Sequence, residues 1–428
     1  MNLELQYLGV AVGLFVVPKV LQRFRLPSAI TCVAMGAALG MGAGLFEHDD
    51  TVPLLATFGI VSLFLFAGLE VDFAEIKKGL RVVLENLLVQ SMLLAGAAYG
   101  AHEAFDLAVR PSLLFGLALT TPSTGFILDS LAAFGLDGER QIWVKNKAIS
   151  TEILALGVLF FTVQSGDAVT LGTSTLALAA MLVVLPFAFR FFVTRVLPRA
   201  PKSEFSFLLI VAVVCAFITK RLGVYYLVGA FVVGVTAVRL RKELPAMASD
   251  RLQHGVELFA SFFIPFYFFK AGLHLEKEDF GWWSIGLGLA FVVLAIPLRV
   301  VTVAVHRRIS LKEPFRHSTR VALSLVPTLV FTIVLAGILK ERYALKPELY
   351  GALVVFALVN TLLPGLVLRA PPVEFDAPVV RSSTADFEGE PARALVAAQA
   401  PSPPVEPPVA PAPRAPGTGW NPYDLPPK

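Results

Sequence analysis

Thirteen apolar stretches of roughly 17 to 25 residues follow one another along this chain, separated mostly by short loops that carry Lys and Arg. They run approximately over 5–24, 27–46, 52–73, 82–108, 111–136, 142–164, 170–195, 203–219, 223–240, 255–275, 282–305, 318–340 and 347–370. Backbone that enters hydrocarbon must satisfy its own N–H and C=O groups, so only helices and closed barrels can cross a membrane. The stretches are too long for barrel strands and lack their alternation, which leaves helices. Charged residues make up 16% of the chain and hydrophobic ones 56%, against about 25% charged in soluble domains. The chain is therefore expected to be an all-α polytopic membrane protein with the lipid bilayer as its first partner.

The opening Met-Asn-Leu-Glu lacks the basic region and small-residue site of a signal peptide, so the first span is expected to be retained. Orientation follows from Lys and Arg in alternate loops: twenty-one fall on one side and seven on the other. The positive-inside rule then puts the N-terminus outside and the C-terminus in the cytoplasm, in the inner (plasma) membrane. Composition changes after Arg369. Residues 371–428 hold fifteen of the thirty prolines and read as a disordered, partly polyproline II tail. Its closing Gly-Trp-Asn-Pro-Tyr-Asp-Leu-Pro-Pro-Lys is either a docking peptide for a partner or merely solvated. Residues 1–370 form the membrane domain.

Two spans are interrupted. The fifth contains Thr120-Thr121-Pro122-Ser123-Thr124, and the twelfth contains Ser324-Leu325-Val326-Pro327-Thr328. Each Pro removes a helical hydrogen bond and clashes with the preceding turn. The two lie seven spans apart, and an odd offset reverses their direction through the membrane. Inverted repeats with broken helices at the midplane characterise secondary transporters. The same offset pairs the sixth span with the thirteenth and the fourth with the eleventh.

The sixth span holds Glu152 within Ala-Ile-Ser-Thr-Glu-Ile-Leu-Ala-Leu. An ionisable group there costs about 2.5 to 3.5 kcal/mol even on the lenient insertion scale, and such groups mark ion or proton pathways. Arg299, in the eleventh span, either snorkels to the inner interface or serves the core. Lys270, in the tenth, either snorkels outward or acts as an internal counter-ion of Glu152. Glu85, Asn86, Gln90, Asp129, Glu204 and Glu257 are read as interfacial or capping residues. The six histidines show no metal-ligand spacing and are read as loop or interface residues.

Several motifs in order resemble the monovalent cation:proton antiporters, in the branch of bacterial sodium/proton and potassium/proton exchangers. They are Arg25-Leu26-Pro27, the stretch Phe64-Leu65-Phe66-Ala67-Gly68-Leu69-Glu70-Val71-Asp72, and Leu227-Val228-Gly229-Ala230-Phe231-Val232-Val233-Gly234. Pro265-Phe266-Tyr267-Phe268-Phe269-Lys270-Ala271-Gly272-Leu273 and Asn360-Thr361-Leu362-Leu363-Pro364 complete the set. The resemblance implies a homodimer with a dimerisation domain and a mobile core in which two broken helices cross beside an acid that binds cation or proton. Thr151-Glu152 stands where the family carries an acidic pair, and Arg299 where it carries a cationic residue. The ligands implied are Glu152, Thr151 and Ser150, with Thr121 nearby. The cargo is H+ against Na+ or K+, with no cofactor and no resident metal.

One acid in place of two predicts one-for-one, electroneutral exchange. Two other readings remain open: a sodium-coupled symporter of an organic anion, and a non-transporting scaffold or sensor. Nothing in the chain supports an enzyme or a nucleic-acid partner, since it has no phosphate loop, nucleophile elbow or metal motif.

Overall fold

The computed structural model describes residues 3–46, 49–71, 73–124, 127, 136, 138–240, 243–244, 249–312 and 315–368. Asp129, much of the second half of the fifth span and the Pro-rich tail lie outside the described residues. The chain divides into two units, Met1–Pro378 and Val379–Lys428, and the first contains all the helices below.

In the N-terminal half, α1 spans Leu3–Gln22, α2 Ser28–Ala43, α3 Thr51–Leu69, the short α4 Phe73–Lys78, α5 Leu80–Phe105, α6 Val109–Thr120 and α7 Gly138–Gln164. Ala168–Phe191 forms α8, which runs into one π-helical turn, Phe192–Val196. The second half contains α9 Glu204–Arg221, α10 Tyr226–Arg239, α11 Asp250–Leu273, α12 Trp282–Leu311, α13 Phe315–Ser324, α14 Leu329–Tyr343 and α15 Pro347–Leu368.

Among the described residues each expected span overlaps a helix, the fifth only through its first half, α6. By length and apolarity, however, eight helices among the described residues can cross a membrane, or nine if α13 and α14 count as one bent span. The difference from thirteen lies partly in helix length, partly in the fifth span, of which α6 is the described helix, and partly in α9, whose 18 residues include Glu204, Lys220 and Arg221. At 1.5 Å per residue, the 16 residues of α2 and 14 of α10 reach only about 24 and 21 Å, short of a hydrocarbon core about 30 Å thick.

The helices pack as two groups. In one, α11 lies against α2 and α3, and α10 against α3 and α9, with α1 beside α2. In the other, α5 packs on α6 and α7, α12 on α13 and α15, and α14 on α6 and α15. The first group depends on close-packed glycines, of which Gly68, Gly234 and Gly272 belong to the sequence motifs. A Cβ on Gly36 would sit 2.0 Å from the Phe269 carbonyl oxygen, and one on Gly272 would sit 2.1 Å from that of Val33. Gly68 and Gly234 meet in the same way, each within 2.4 Å of a backbone oxygen of the facing helix. Lipid provides little hydrophobic drive between helices, so such close backbone approach is what holds them together.

The second group is built around the two breaks. Pro122 disfavours helical dihedrals in the residue before it, and Thr121 is extended at φ −89°, ψ 117°, which ends α6. Pro327 acts likewise between α13 and α14, whose axes differ by 44°.

Candidate functional site

The interrupted segments lie side by side. The Ser123 N–H donates to the Pro327 carbonyl at 2.8 Å, and the Ser123 hydroxyl accepts from the Val330 N–H at 3.0 Å. Ser123 thus caps the first turn of α14 from the break in the fifth span. Thr332 returns the arrangement, its hydroxyl donating to the Ala118 carbonyl of α6 at 2.7 Å.

Arg299 does not snorkel. It is 9% exposed, and its guanidinium donates to the carbonyls of Leu325 at 3.2 Å, Val326 at 3.0 Å and Leu119 at 2.7 Å. These carbonyls end α13 and α6, where each helix presents a negative partial charge. One planar cation therefore ties two half-helix ends together, a task suited to the fork of guanidinium donors. Gln90 of α5 adds a bond to the Thr120 carbonyl at 3.0 Å. Asn360 of α15 donates to the Val326 carbonyl at 2.8 Å and the Thr328 hydroxyl at 3.0 Å. The helices paired by the seven-span offset, α5 with α12 and α7 with α15, all supply polar side chains to this region.

Glu152 lies beside the crossing, 3% exposed. It faces a cavity of about 10 Å³, room for one water-sized occupant. Ser123, Thr124, Val330 and Phe331 of the second helix group and Leu63, Phe64 and Ala67 of α3 form the remaining wall. Among the described residues no cationic side chain pairs with Glu152. Among the described residues the buried Thr121 hydroxyl has no hydrogen-bond partner, and the buried Thr124 hydroxyl borders Glu152.

Ser150 and Thr151 are placed differently from Glu152. Their hydroxyls donate to the Lys147 carbonyl at 3.0 and 2.9 Å and accept from the Asn86 side chain at 2.8 and 2.9 Å, and neither lines the cavity. Lys270 also stays apart from Glu152; the charges it senses are Glu341 and Lys220. Ser324 is buried, its hydroxyl returned to the Val321 carbonyl at 2.8 Å.

A second polar cluster was not legible as a site. Asn86 is fully buried, contrary to an interfacial reading, and accepts from the Lys147 ammonium. Lys147 is 8% exposed, with the Trp143 ring 5.4 Å away and His306 Nδ1 at 3.3 Å. His306, read as a loop or interface residue, is 5% exposed, and its Nε2 lies 3.2 Å from Glu85. Helical periodicity held the signal. Val83, Asn86, Gln90, Leu94, Ala98 and Ala101 form one buried stripe of α5, so two amides interrupt an inward apolar face.

Sequence and structure comparisons agree with this architecture. Residues 10–373 match the family described as sodium/hydrogen exchanger, transmembrane. A probable Na(+)/H(+) antiporter 3 of Methanocaldococcus jannaschii is 21% identical over 365 residues, 83% of this chain and 93% of that protein. The Na(+)/H(+)-K(+) antiporter GerN of Bacillus cereus is 21% identical over 368 residues, covering 81% and 90%. The solved structure of the sodium proton antiporter MjNhaP1 from M. jannaschii at pH 8 superposes with a TM-score of 0.62 at 14% identity, over 85% of this chain and 95% of that one. With its crossed half-helices, its buried acid and a family match that runs from α1 to the end of α15, this chain belongs to the transmembrane sodium/hydrogen exchanger family.

Proposed function

We propose that the protein exchanges Na+ or K+ for protons by alternating access, with Glu152 as the shared cation and proton site. The observation that carries this reading is a carboxylate 3% exposed that faces an ion-sized cavity with no cationic partner among the described residues. Such a group taken from water costs several kcal/mol unless it is neutralised. A proton neutralises it, and so does a monovalent cation, but an empty carboxylate does not. Movement of the site across the membrane is then favourable only when it is loaded, which is the physical basis of coupling.

Thr124 supplies an oxygen to a dehydrated cation, and the buried Thr121 hydroxyl three residues before it is a further oxygen of this break. Ser150 and Thr151, committed to Asn86, contribute through the position of their helix. One carboxylate makes the exchange one-for-one and electroneutral. The group containing α5–α7 and α12–α15 acts as the moving core. Phe64 and Phe331, 5.6 Å apart between ring centroids, meet where that core slides past α3. The remaining helices form the scaffold and homodimer contact, with the N-terminus outside and residues 371–428 as a cytoplasmic arm. A cavity of this size favours an ion over an organic solute.

The test is cation-driven proton flux in proteoliposomes carrying wild type or Glu152→Gln, with Na+, K+ and Li+ in turn. Flux in wild type that disappears in the variant supports the reading. Unchanged flux in the variant removes Glu152 from the mechanism, and no flux in wild type favours a scaffold. A strong response of the rate to an imposed membrane potential would refute electroneutrality.

A further inference from the structure

The turn of α7 that precedes Glu152 is held from one side by a single residue. Asn86 Nδ2 lies 2.8 Å from Ser150 Oγ, 2.9 Å from Thr151 Oγ1 and 3.2 Å from the Lys147 carbonyl, and its Oδ1 accepts from the Lys147 ammonium. An amide has two donor hydrogens and one acceptor oxygen, so the three acceptors share two hydrogens and both ends of the group are engaged. Asn86 is 0% exposed and belongs to α5. The Lys147 ammonium is held on its other side by His306 of α12, which in turn reaches Glu85 of α5. Three helices are thereby fixed relative to one another within two turns of the acid.

Successive residues of an α-helix are about 100° apart around its axis. With Ser150 and Thr151 held toward α5, Glu152 is carried round to the face that meets α3 and α14 and lines the cavity. A rotation of α7 by one residue would bring Ile153 to that face, and Ile153 is 44% exposed at present. An apolar side chain at position 86 could fill the space but could not hold this rotation, because it offers neither donor nor acceptor.

We propose that Asn86 is a positioning residue for exchange: its amide sets the rotation of α7 that aims Glu152 at the cavity. The proposal rests on the reading of Glu152 as the ion site. It also distinguishes Asn86 from a residue that merely completes the packing, because Lys147 can be relieved separately. In Asn86→Asp the acceptor for Lys147 survives while the donors to Ser150 and Thr151 are lost. In Asn86→Ala with Lys147→Met the stranded ammonium is removed as well, but nothing orients the turn.

The experiment measures apparent KM for Na+, maximal rate and melting temperature of these two variants and of Asn86→Ala alone in the full-length protein. Misplacing a reacting group by about 1 Å costs up to about a hundredfold, and the expected result is an apparent KM raised at least about tenfold with melting close to wild type. Wild-type KM in both folded variants overturns the proposal. So does a KM increase in the alanine variant alone that vanishes when Lys147→Met is added, because the effect would then come from the stranded ammonium. Unaltered flux in Glu152→Gln would defeat the reading of the ion site itself, independently of the Asn86 result.

Discussion

The guanidinium of Arg299 and the carbonyl of Leu119 are 180 residues apart in sequence and 2.7 Å apart in space. Their contact closes the end of α6, while the same guanidinium closes the end of α13. The crossing of the two broken helices is thus held electrostatically from a third helix.

Replacing Arg299 therefore separates charge from geometry. Arg299→Leu strands buried carbonyls at about 1 to 3 kcal/mol each and is expected to abolish flux and lower the melting temperature sharply. Arg299→Lys keeps the charge but offers a compact ammonium where a fork reaches two helix ends. It should fold with intermediate stability and retain a small fraction of the flux. Equal behaviour of Lys and Arg in detergent melting and flux assays would show that charge alone matters.

Thr124 tests the cation-binding half of the site. Its hydroxyl is a buried oxygen beside Glu152, and a polar contact to a charged group is worth about 1.5 to 3 kcal/mol. Thr124→Val, nearly the same shape, is expected to raise the apparent KM for cation about tenfold or more, while Thr124→Ser stays near wild type. Flux measured against cation concentration decides this, and indifference to valine would remove Thr124 from the ligand set.

Gly272 tests the helix packing that the sequence motifs encode. A methyl there would meet the Val33 carbonyl oxygen at 2.1 Å, so α2 and α11 must separate. Gly272→Ala should destabilise by about 1 to 3 kcal/mol, read as a lower melting temperature. Gly286→Ala on α12, with nothing within 4 Å of the added carbon, is the control and should be neutral or slightly stabilising.

Asp49 lies in the loop before α3 and links it to α1. Burial pushes its carboxyl up, but hydrogen bonds from the Tyr7 hydroxyl and the N–H groups of Val52 and Thr51 outweigh this and leave it below the usual range. A lowered value in the folded state means that the stabilisation is present above the ordinary carboxylate range and fades as pH falls through the folded value. Asp49→Ala is expected to cost about 1 kcal/mol near neutral pH and progressively less in acid. A pH-independent difference in melting temperature between variant and wild type would argue against this link.

The helices were legible because hydrocarbon imposes one local requirement, about 20 apolar residues in an internally bonded helix. The breaks were legible too, because Pro122 and Pro327 act on the turns beside them. The function of Arg299 was not, because its partners are backbone carbonyls, which every residue possesses and no sequence pattern marks. Asn86 and His306 read as interfacial in the sequence, and Lys147 as an ordinary basic residue, although each lies on a buried helical stripe; what joins them is the approach of three helices.

The sequence by itself determined the membrane setting, the positions of the helices, the interrupted pair and the presence of an acid, Glu152, within a span. All of these follow from local composition and backbone chemistry. Only the tertiary structure decided which face of α7 the acid occupies, that Thr124 rather than Thr151 borders its cavity, and that Arg299 serves the helix ends instead of Glu152. Those outcomes depend on how helices rotate and pack against one another, and a rotation of one residue changes the neighbours of every side chain without changing a single letter of the sequence.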